Sequence, residues 1–378
     1  MKILVVISKF LPEYSGPSIR IKNLYERLAK KNFLKNKNIL FLAGGEEFNE
    51  NKTYYIKNFK VKRFKNTYST NQISDYYNYY RNFFCIRREI NFFKPDLIHV
   101  IGSNMLTASA IIISRIKNIP LCVELVNSTS KPNQNLPILK HFWRPNLNYN
   151  TKIIVISKFL KRKCLFMGYK NIWYRPNPIN INSFKKIKKI KTNKKILLNI
   201  GQFIPRKNQK FLVEVMKYLP HNFELFLCGP LVTMGSKKQR DLKYFNEIKK
   251  IIKDQKLTKR ITLIPRYVDP KKYFKKTDLY LMPSYDEGLG NTIIESLASG
   301  VSVMANSSEP SFKEIIKDNQ NGFLVKMKQE EWAKSIIKNI NKLNTEKVRI
   351  NSKKIFSLAN EISIDKKYYK IFKEMTTL

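Results

Sequence analysis

The sequence predicts an α/β fold made of two parallel-sheet domains, and three observations carry that expectation. At 378 residues the chain exceeds one ordinary hydrophobic core. Apolar runs of strand length alternate with helical patterns along much of it. One stretch, Asp278 to Ala305, reads as a whole βαβ unit: strand, glycine-punctuated loop, helix, strand. Hydrophobic residues make up 43% of the chain, ample for globular cores.

The first strand is Ile3-Leu4-Val5-Val6-Ile7, apolar throughout and expected to be buried. A loop from Phe10 to Ser18 leads into a helix expected from about Ile19 to Lys31, with Leu24, Leu28 and Ala29 on one face. Strand, Gly16-containing loop and helix form a phosphate-compatible turn, but one glycine is a weak signal. Ile39 to Ala43 is the second strand, ended by Gly44-Gly45. Residues 50–95 differ. Tyr54, Tyr55, Phe59, Tyr76, Tyr80, Phe84 and Phe92 interleave with Lys57, Lys60, Lys62, Arg63 and Arg81. This reads first as a strand and helix whose Lys stems cover an aromatic core edge. An anionic membrane contact comes next, and stacking on single-stranded nucleic acid last. Strands follow at Pro95–Gly102, Leu121–Val126 and Ile153–Ser157, where Ser157 fits a helix N-cap.

The second domain is expected to span residues 176–359, the first 1–175 plus a final helix within 360–378 that crosses back. Lys185 to Lys195 reads as a solvated basic linker. Lys195 to Gly201 is a strand that runs into Gln202-Phe203-Ile204-Pro205-Arg206-Lys207-Asn208. Phe223–Gly229 and Ile261–Ile264 are further strands, with a basic helical stretch over 235–257 between them, and Arg266 follows the second. Asn321 to Val325 is the last strand. A helix around Ile364 to Met375 closes the chain.

In the central unit, Glu287-Gly288-Leu289-Gly290 feeds a helix expected from Thr292 to Ser299 and ended by Gly300. The first amides of a helix have no internal partner, and glycines let a ligand approach them; together these features bind phosphate. Glu287 and Glu295 flank the site. Both fit acceptors for sugar or ribose hydroxyls beside a phosphate. On spacing alone they fit equally well as acids that complement the helix dipole.

Pro-Ser-x-x-Glu-Gly-x-Gly, the second Glu after seven residues, and Ser-Leu-Ala-Ser-Gly-Val-Ser-Val resemble the signature of family 4 retaining glycosyltransferases. That resemblance implies the GT-B fold, two Rossmann-like domains facing a cleft. Arg175-Pro176-Asn177-Pro178 resembles the family's interdomain segment, and Asn321-Gly322-Phe323-Leu324-Val325 its last strand. The implied donor is a nucleotide-diphosphate sugar held by the second domain, with no cofactor and no metal. Glu295 would bind the ribose and Glu287 the sugar. The amides of Leu289, Gly290, Asn291 and Thr292, with Arg206 and Lys207 after Gly201, would stabilise the departing diphosphate. Arg266 would lie where the family seats the base. The loop at Gly16 would close over the donor phosphates, with Gly16-Pro17 where most members carry Gly-Gly. Val126 or Asn127 stands where members often place a sugar-contacting His. The implied activity is retaining transfer of a hexosyl or N-acetylhexosaminyl unit to a saccharide or lipid-linked hydroxyl, in envelope polysaccharide, lipopolysaccharide or glycolipid synthesis.

Lys and Arg number 72 against 28 Asp and Glu, a formal net charge of +44. Such a field attracts anionic lipid, phosphorylated substrates and nucleic acid, but an excess this diffuse also follows from AT-rich coding. Cys85, Cys122, Cys164 and Cys228 lie far apart, as reduced cytosolic thiols do, and the three His have no metal-ligand spacing. Met1–Ile7 is too short for a signal sequence, and no apolar run reaches transmembrane length. The expected place is the cytoplasm, peripheral at an anionic inner membrane face, with no nucleic-acid partner. The competing class is a non-catalytic or nucleic-acid-binding basic protein; a phosphorylase or epimerase is the other enzymatic reading.

Overall fold

The computed structural model describes residues 1–13, 15–44, 51–64, 72–102, 105–126, 150–190, 192–231 and 238–377; the side chains of 72–79 and 105 are not described. The chain divides into two units, Met1–Pro176 with Ile362–Leu378, and Asn177–Glu361.

The first unit holds an eight-stranded sheet: β1 (Ile3–Ile7), β2 (Ile39–Ala43), β3 (Lys52–Ile56), β4 (Phe59–Arg63), β5 (Leu97–Ile101), β6 (Leu121–Leu125), β7 (Thr151–Val155) and β8 (Ile172–Tyr174). Their spatial order is β3-β4-β2-β1-β5-β6-β7-β8. The strands named from their apolar runs are buried because helices cover both faces of a parallel sheet. One departure is at the edge. The aromatic–basic stretch makes β3 and β4, an antiparallel hairpin that pairs with β2 through β4, followed by α2 (Gln72–Phe93). Alternation explains it: Phe59, Val61 and Arg63 are buried and Lys60 is exposed, so one face of β4 packs and the other meets water.

Helix α1 (Gly16–Lys30) starts three residues before the sequence-based boundary. A capping box explains the shift: Ser15 and Ser18 exchange side-chain and backbone hydrogen bonds, and Pro17 fits the first turn. Helix α3 (Met105–Ile116) follows β5, and α4 (Lys158–Phe166) starts at the Ser157 cap.

The second unit holds β9 (Lys195–Ile200), β10 (Phe223–Cys228), β11 (Ile261–Ile264), β12 (Leu279–Met282), β13 (Ser302–Asn306) and β14 (Gly322–Val325), all parallel, in the order β11-β10-β9-β12-β13-β14. The helices are α5 (Ile181–Lys185), α6 (Gln209–Val215), α7 (Lys238–Asp254), α8 (Pro270–Phe274), α9 (Asn291–Ala298), α10 (Pro310–Lys313), α11 (Gln329–Asn339), α12 (Thr345–Asn351) and α13 (Lys353–Ala359). The order reverses between β9 and β12. There strand ends diverge and leave a crevice, where ligands bind in sheets of this type.

The basic stretch after α5 is not wholly solvated. Lys189 turns inward, and its Nζ donates to the carbonyls of Phe274 and Thr277 at 3.0 and 2.8 Å. Burial lowers its pKa to about 8. The linker reading failed there because a Lys stem can bury its methylenes while its ammonium finds carbonyls.

The final helix, α14 (Glu361–Thr376), packs into the first unit's core through Ile364, Tyr368, Ile371, Phe372 and Met375. Arg27 and Lys31 hold its buried Asp365. Tyr368 also joins a buried polar cluster centred on Glu124, which accepts hydrogen bonds from Arg20 and from Arg175 at 2.9 Å and lies 3.1 Å from His99. Burial alone would push the Glu124 carboxyl up. The two guanidiniums outweigh it and hold the group well below the usual range, so it is charged.

Candidate functional site

The site is built where β9 and β12 end. After β9, Gly201 and Gln202 turn the chain outward. Gln209, fully buried, donates from Nε2 to both of their carbonyls, at 3.3 and 2.9 Å. Gly229 ends β10 at φ +146°, and a Cβ there would lie 2.0 Å from the Gly201 carbonyl oxygen. Only glycine permits that approach. The chain then makes a single 3₁₀ turn, Pro205–Lys207, and Asn208 at φ 53° redirects it into α6.

That turn presents Arg206 and Lys207 side by side. Both donate to one oxygen, Glu287 Oε1, at 3.1 and 2.5 Å. Lys207 and Glu287 are largely buried, and Arg206 is 43% exposed. Burial lowers the Lys207 pKa and Arg206 lowers it further, while Glu287 opposes both. The Arg206 carbonyl also accepts the Tyr285 amide at 2.9 Å, so the cation turn and the Glu287 loop are joined through the backbone.

The loop ends at Gly290, the N-cap of α9, at φ 80°. No side chain caps this helix, and only the Ile293 amide reaches back, to the Gly290 carbonyl at 3.0 Å. Helix geometry gives the Asn291 and Thr292 amides no intrahelical acceptor. Two side chains fix their position instead. Tyr280 donates its hydroxyl to Thr292 Oγ1 at 2.6 Å and to the Ile200 carbonyl at 3.1 Å. Asn177 donates to Asn291 Oδ1 at 2.7 Å. A Cβ on Gly290 would lie 3.0 Å from Ile293 and 3.1 Å from Phe312. Gly290→Ala is expected to cost about 1–2 kcal/mol of stability by thermal or urea unfolding, from left-handed backbone strain plus this crowding.

Glu295 lies on the second turn of α9, half-buried, with Oε2 buried and unpartnered among the described residues. Burial raises its pKa to about 7; Asp269 adds to the rise and Lys271 opposes it. A buried carboxylate oxygen without a donor matches a group that completes its hydrogen bonding with ligand hydroxyls.

The structure thus brings Arg206, Lys207, Glu287, Gly201, Gly290, Asn291 and Thr292 together, with Leu289 buried beneath the loop and Glu295 one turn on. One expectation needs recasting: Glu287 and the two cations, given separate partners in sequence, are partners of each other. Arg266 is exposed after β11. Gly16 is exposed in the first turn of α1, in the other unit. Val126 is half-buried at the end of β6, and Asn127 lies outside the described residues. Tyr280, Gln209, Asn306 and Glu309, which shape the site, were missed. Only Tyr280 had a readable signal, a hydroxyl in a run otherwise fit for full burial.

Residues 180–354 match the family described as Glycosyl transferases group 1. The second unit is a glycosyl transferases group 1 domain. Among curated proteins, the chain is 25% identical to a capsular polysaccharide biosynthesis glycosyltransferase, CapH, of Staphylococcus aureus, over 56% of this chain and 57% of that one. It is also 25% identical to an Escherichia coli UDP-Gal:alpha-D-GlcNAc-diphosphoundecaprenol alpha-1,3-galactosyltransferase, over 47% and 48%. The chain therefore spans about half the length of these relatives. Among solved structures it resembles Anabaena Alr3699/HepE in complex with UDP and glucose, with a TM-score of 0.72 at 14% identity over 99% and 100% of the two chains. That likeness shows the fold: the group 1 domain is the second of two Rossmann-like units of the GT-B class.

Proposed function

We propose that this protein is a retaining glycosyltransferase that moves a sugar from a nucleotide-diphosphate donor to a hydroxyl acceptor. The observation that carries it is the convergence of Arg206 and Lys207 beside the uncapped start of α9. Cleaving the sugar–phosphate bond puts negative charge on the diphosphate. Two fixed cations and two free amides stabilise that charge where it develops.

Glu287 marks the seat in the empty protein. A diphosphate carries more charge than one carboxylate and would take the cations from it. Glu287 is then released toward the sugar hydroxyls, while Glu295 Oε2 accepts from the ribose. No protein nucleophile is invoked. The bond from the anomeric carbon to the phosphate oxygen breaks, the acceptor oxygen bonds to that carbon on the same face, and the acceptor proton passes to the phosphate oxygen. The nucleotide sugar is a co-substrate, and no cofactor is proposed.

The acceptor is proposed to be a saccharide or a lipid-linked saccharide of envelope polymer synthesis. The named activities of the capsular and diphosphoundecaprenol relatives support this. Among the described residues no helix is long and apolar enough to cross a membrane. Tyr80 and Phe84 are exposed on α2 with Arg87 and Arg88, which suits peripheral contact with an anionic inner membrane face in the cytoplasm.

The test is product analysis with a panel of nucleotide sugars and saccharide acceptors. NMR of the product is expected to show the donor's anomeric configuration retained. An inverted product contradicts the mechanism, and no transfer from any donor contradicts the function.

A further inference from the structure

We propose that Glu309 is a positioning residue for Glu287: its carboxylate grips the Glu287 backbone amide and so fixes the direction in which the Glu287 side chain leaves its loop. The inference rests on the donor-site reading above and deepens it.

The Glu287 loop is pinned at three points. Asn306, buried at the end of β13, donates from Nδ2 to the Ser284 carbonyl at 3.2 Å. The Arg206 carbonyl takes the Tyr285 amide at 2.9 Å. The Glu309 carboxylate takes the Glu287 amide. Between the last two pins, Asp286 sits at φ 51°, a left-handed turn that swings the next peptide around. With its amide turned to Glu309, Glu287 sends its side chain to Arg206 and Lys207.

Glu309 is an unexpected residue to bury. It is 6% exposed, and among the described residues it makes no ion pair, in a chain with 72 Lys and Arg against 28 Asp and Glu. It is held instead by N–H and O–H donors: the Glu287 amide, the Ser311 amide, and Ser311 Oγ at 3.2 Å. Charge-assisted bonds of this kind offset part of the cost of burying a carboxylate. Burial raises its pKa, and the nearby charge of Glu287 adds to that. A second carboxylate beside Glu287 is electrostatically unfavourable. Its retention is explained by the backbone grip.

The grip matters when the donor arrives. The diphosphate takes the cations, and Glu287 must then find the sugar by side-chain rotation alone. A loop anchored on Glu309 keeps its Cα in place; a loose one does not. Losing Glu309 therefore affects what the sugar contributes, not what the nucleotide contributes.

The experiment compares wild type, Glu309→Ala and Glu309→Gln, using the nucleotide sugar that wild type turns over best and the matching nucleoside diphosphate. In Glu309→Ala, kcat is expected to fall about 10²-fold, the scale of a misplacement near 1 Å. Nucleoside diphosphate affinity is expected to stay at the wild-type value. Hydrogen exchange at the Glu287 amide, measured without ligand, is expected to quicken. Glu309→Gln keeps an acceptor oxygen and is expected to restore amide protection and most of kcat. Wild-type exchange at Glu287 in Glu309→Ala overturns the grip. Unchanged kcat, or diphosphate affinity falling in step with kcat, overturns the positioning role. If wild type binds no nucleotide sugar, the donor reading fails, and the exchange measurement still decides whether Glu309 holds Glu287.

Discussion

Replacing Arg206 and Lys207 together by Ala is expected to lower turnover of the nucleotide sugar by at least about 10²–10³-fold, the usual cost of removing one fixed group that stabilises developing charge. Donor affinity is expected to fall much less. The asymmetry follows from when the charge appears. In the ground state the diphosphate shares its charge with solvent, and Arg206 is 43% exposed. As the sugar leaves, a further charge develops on the phosphate oxygen, and the largely buried Lys207 ammonium is fixed against it. The empty site shows why both cations are needed: they share one carboxylate oxygen, so either alone leaves Glu287 seated by the other. Steady-state kinetics with single and double variants check this. Equal losses in kcat and in donor affinity at sub-turnover concentrations would reject the role.

Glu295 carries the second large effect, and it depends on pH. Its pKa is raised to about 7 by burial first, then by Asp269. A carboxyl raised above its unfolded value of about 4.3 binds more protons folded than unfolded. Its charged form therefore costs the folded protein, and stability from this group is lost as pH rises from about 4.3 through about 7. Without ligand, Glu295→Gln is expected to match wild type at pH 5 and to be more stable at pH 8, by on the order of 2 kcal/mol. Nucleotide binding reverses the balance. The ionised group accepts ribose hydroxyls, so affinity is expected to rise with pH through about 7. Glu295→Ala is expected to weaken nucleotide binding by about 10–100-fold at pH 8, the worth of hydrogen bonds to a charged group, and to flatten the pH dependence. Calorimetry at pH 6 and 8 checks both. A wild-type affinity that does not change between them contradicts the ribose role.

Much of the scaffold was legible because burial on both faces leaves a plain trace. Ile3–Ile7, Ile39–Ala43 and Lys195–Ile200 are strands with the boundaries their apolar runs suggested. The Glu287–Glu295 unit was legible as loop and helix because Gly290 and Gly300 mark a start and a stop that need positive φ, and both have it. What failed to show were contacts between segments distant in sequence. Nothing near Lys189 predicts carbonyls 85 and 88 residues away. Nothing near Glu309 announces that it takes the amide of Glu287, because a lone Glu before Pro reads as an ordinary helix start. The ion pair of Glu287 with Arg206 and Lys207 was hidden for the same reason. Each residue carried a plausible role alone, and only the fold shows that they compete for one another.

The most direct measurement is a crystal structure with the nucleoside diphosphate bound. The account predicts the diphosphate against the amides of Gly290, Asn291 and Thr292, with Arg206 and Lys207 on its oxygens and Glu287 displaced from both. A diphosphate bound elsewhere, with Arg206 and Lys207 still on Glu287, contradicts it.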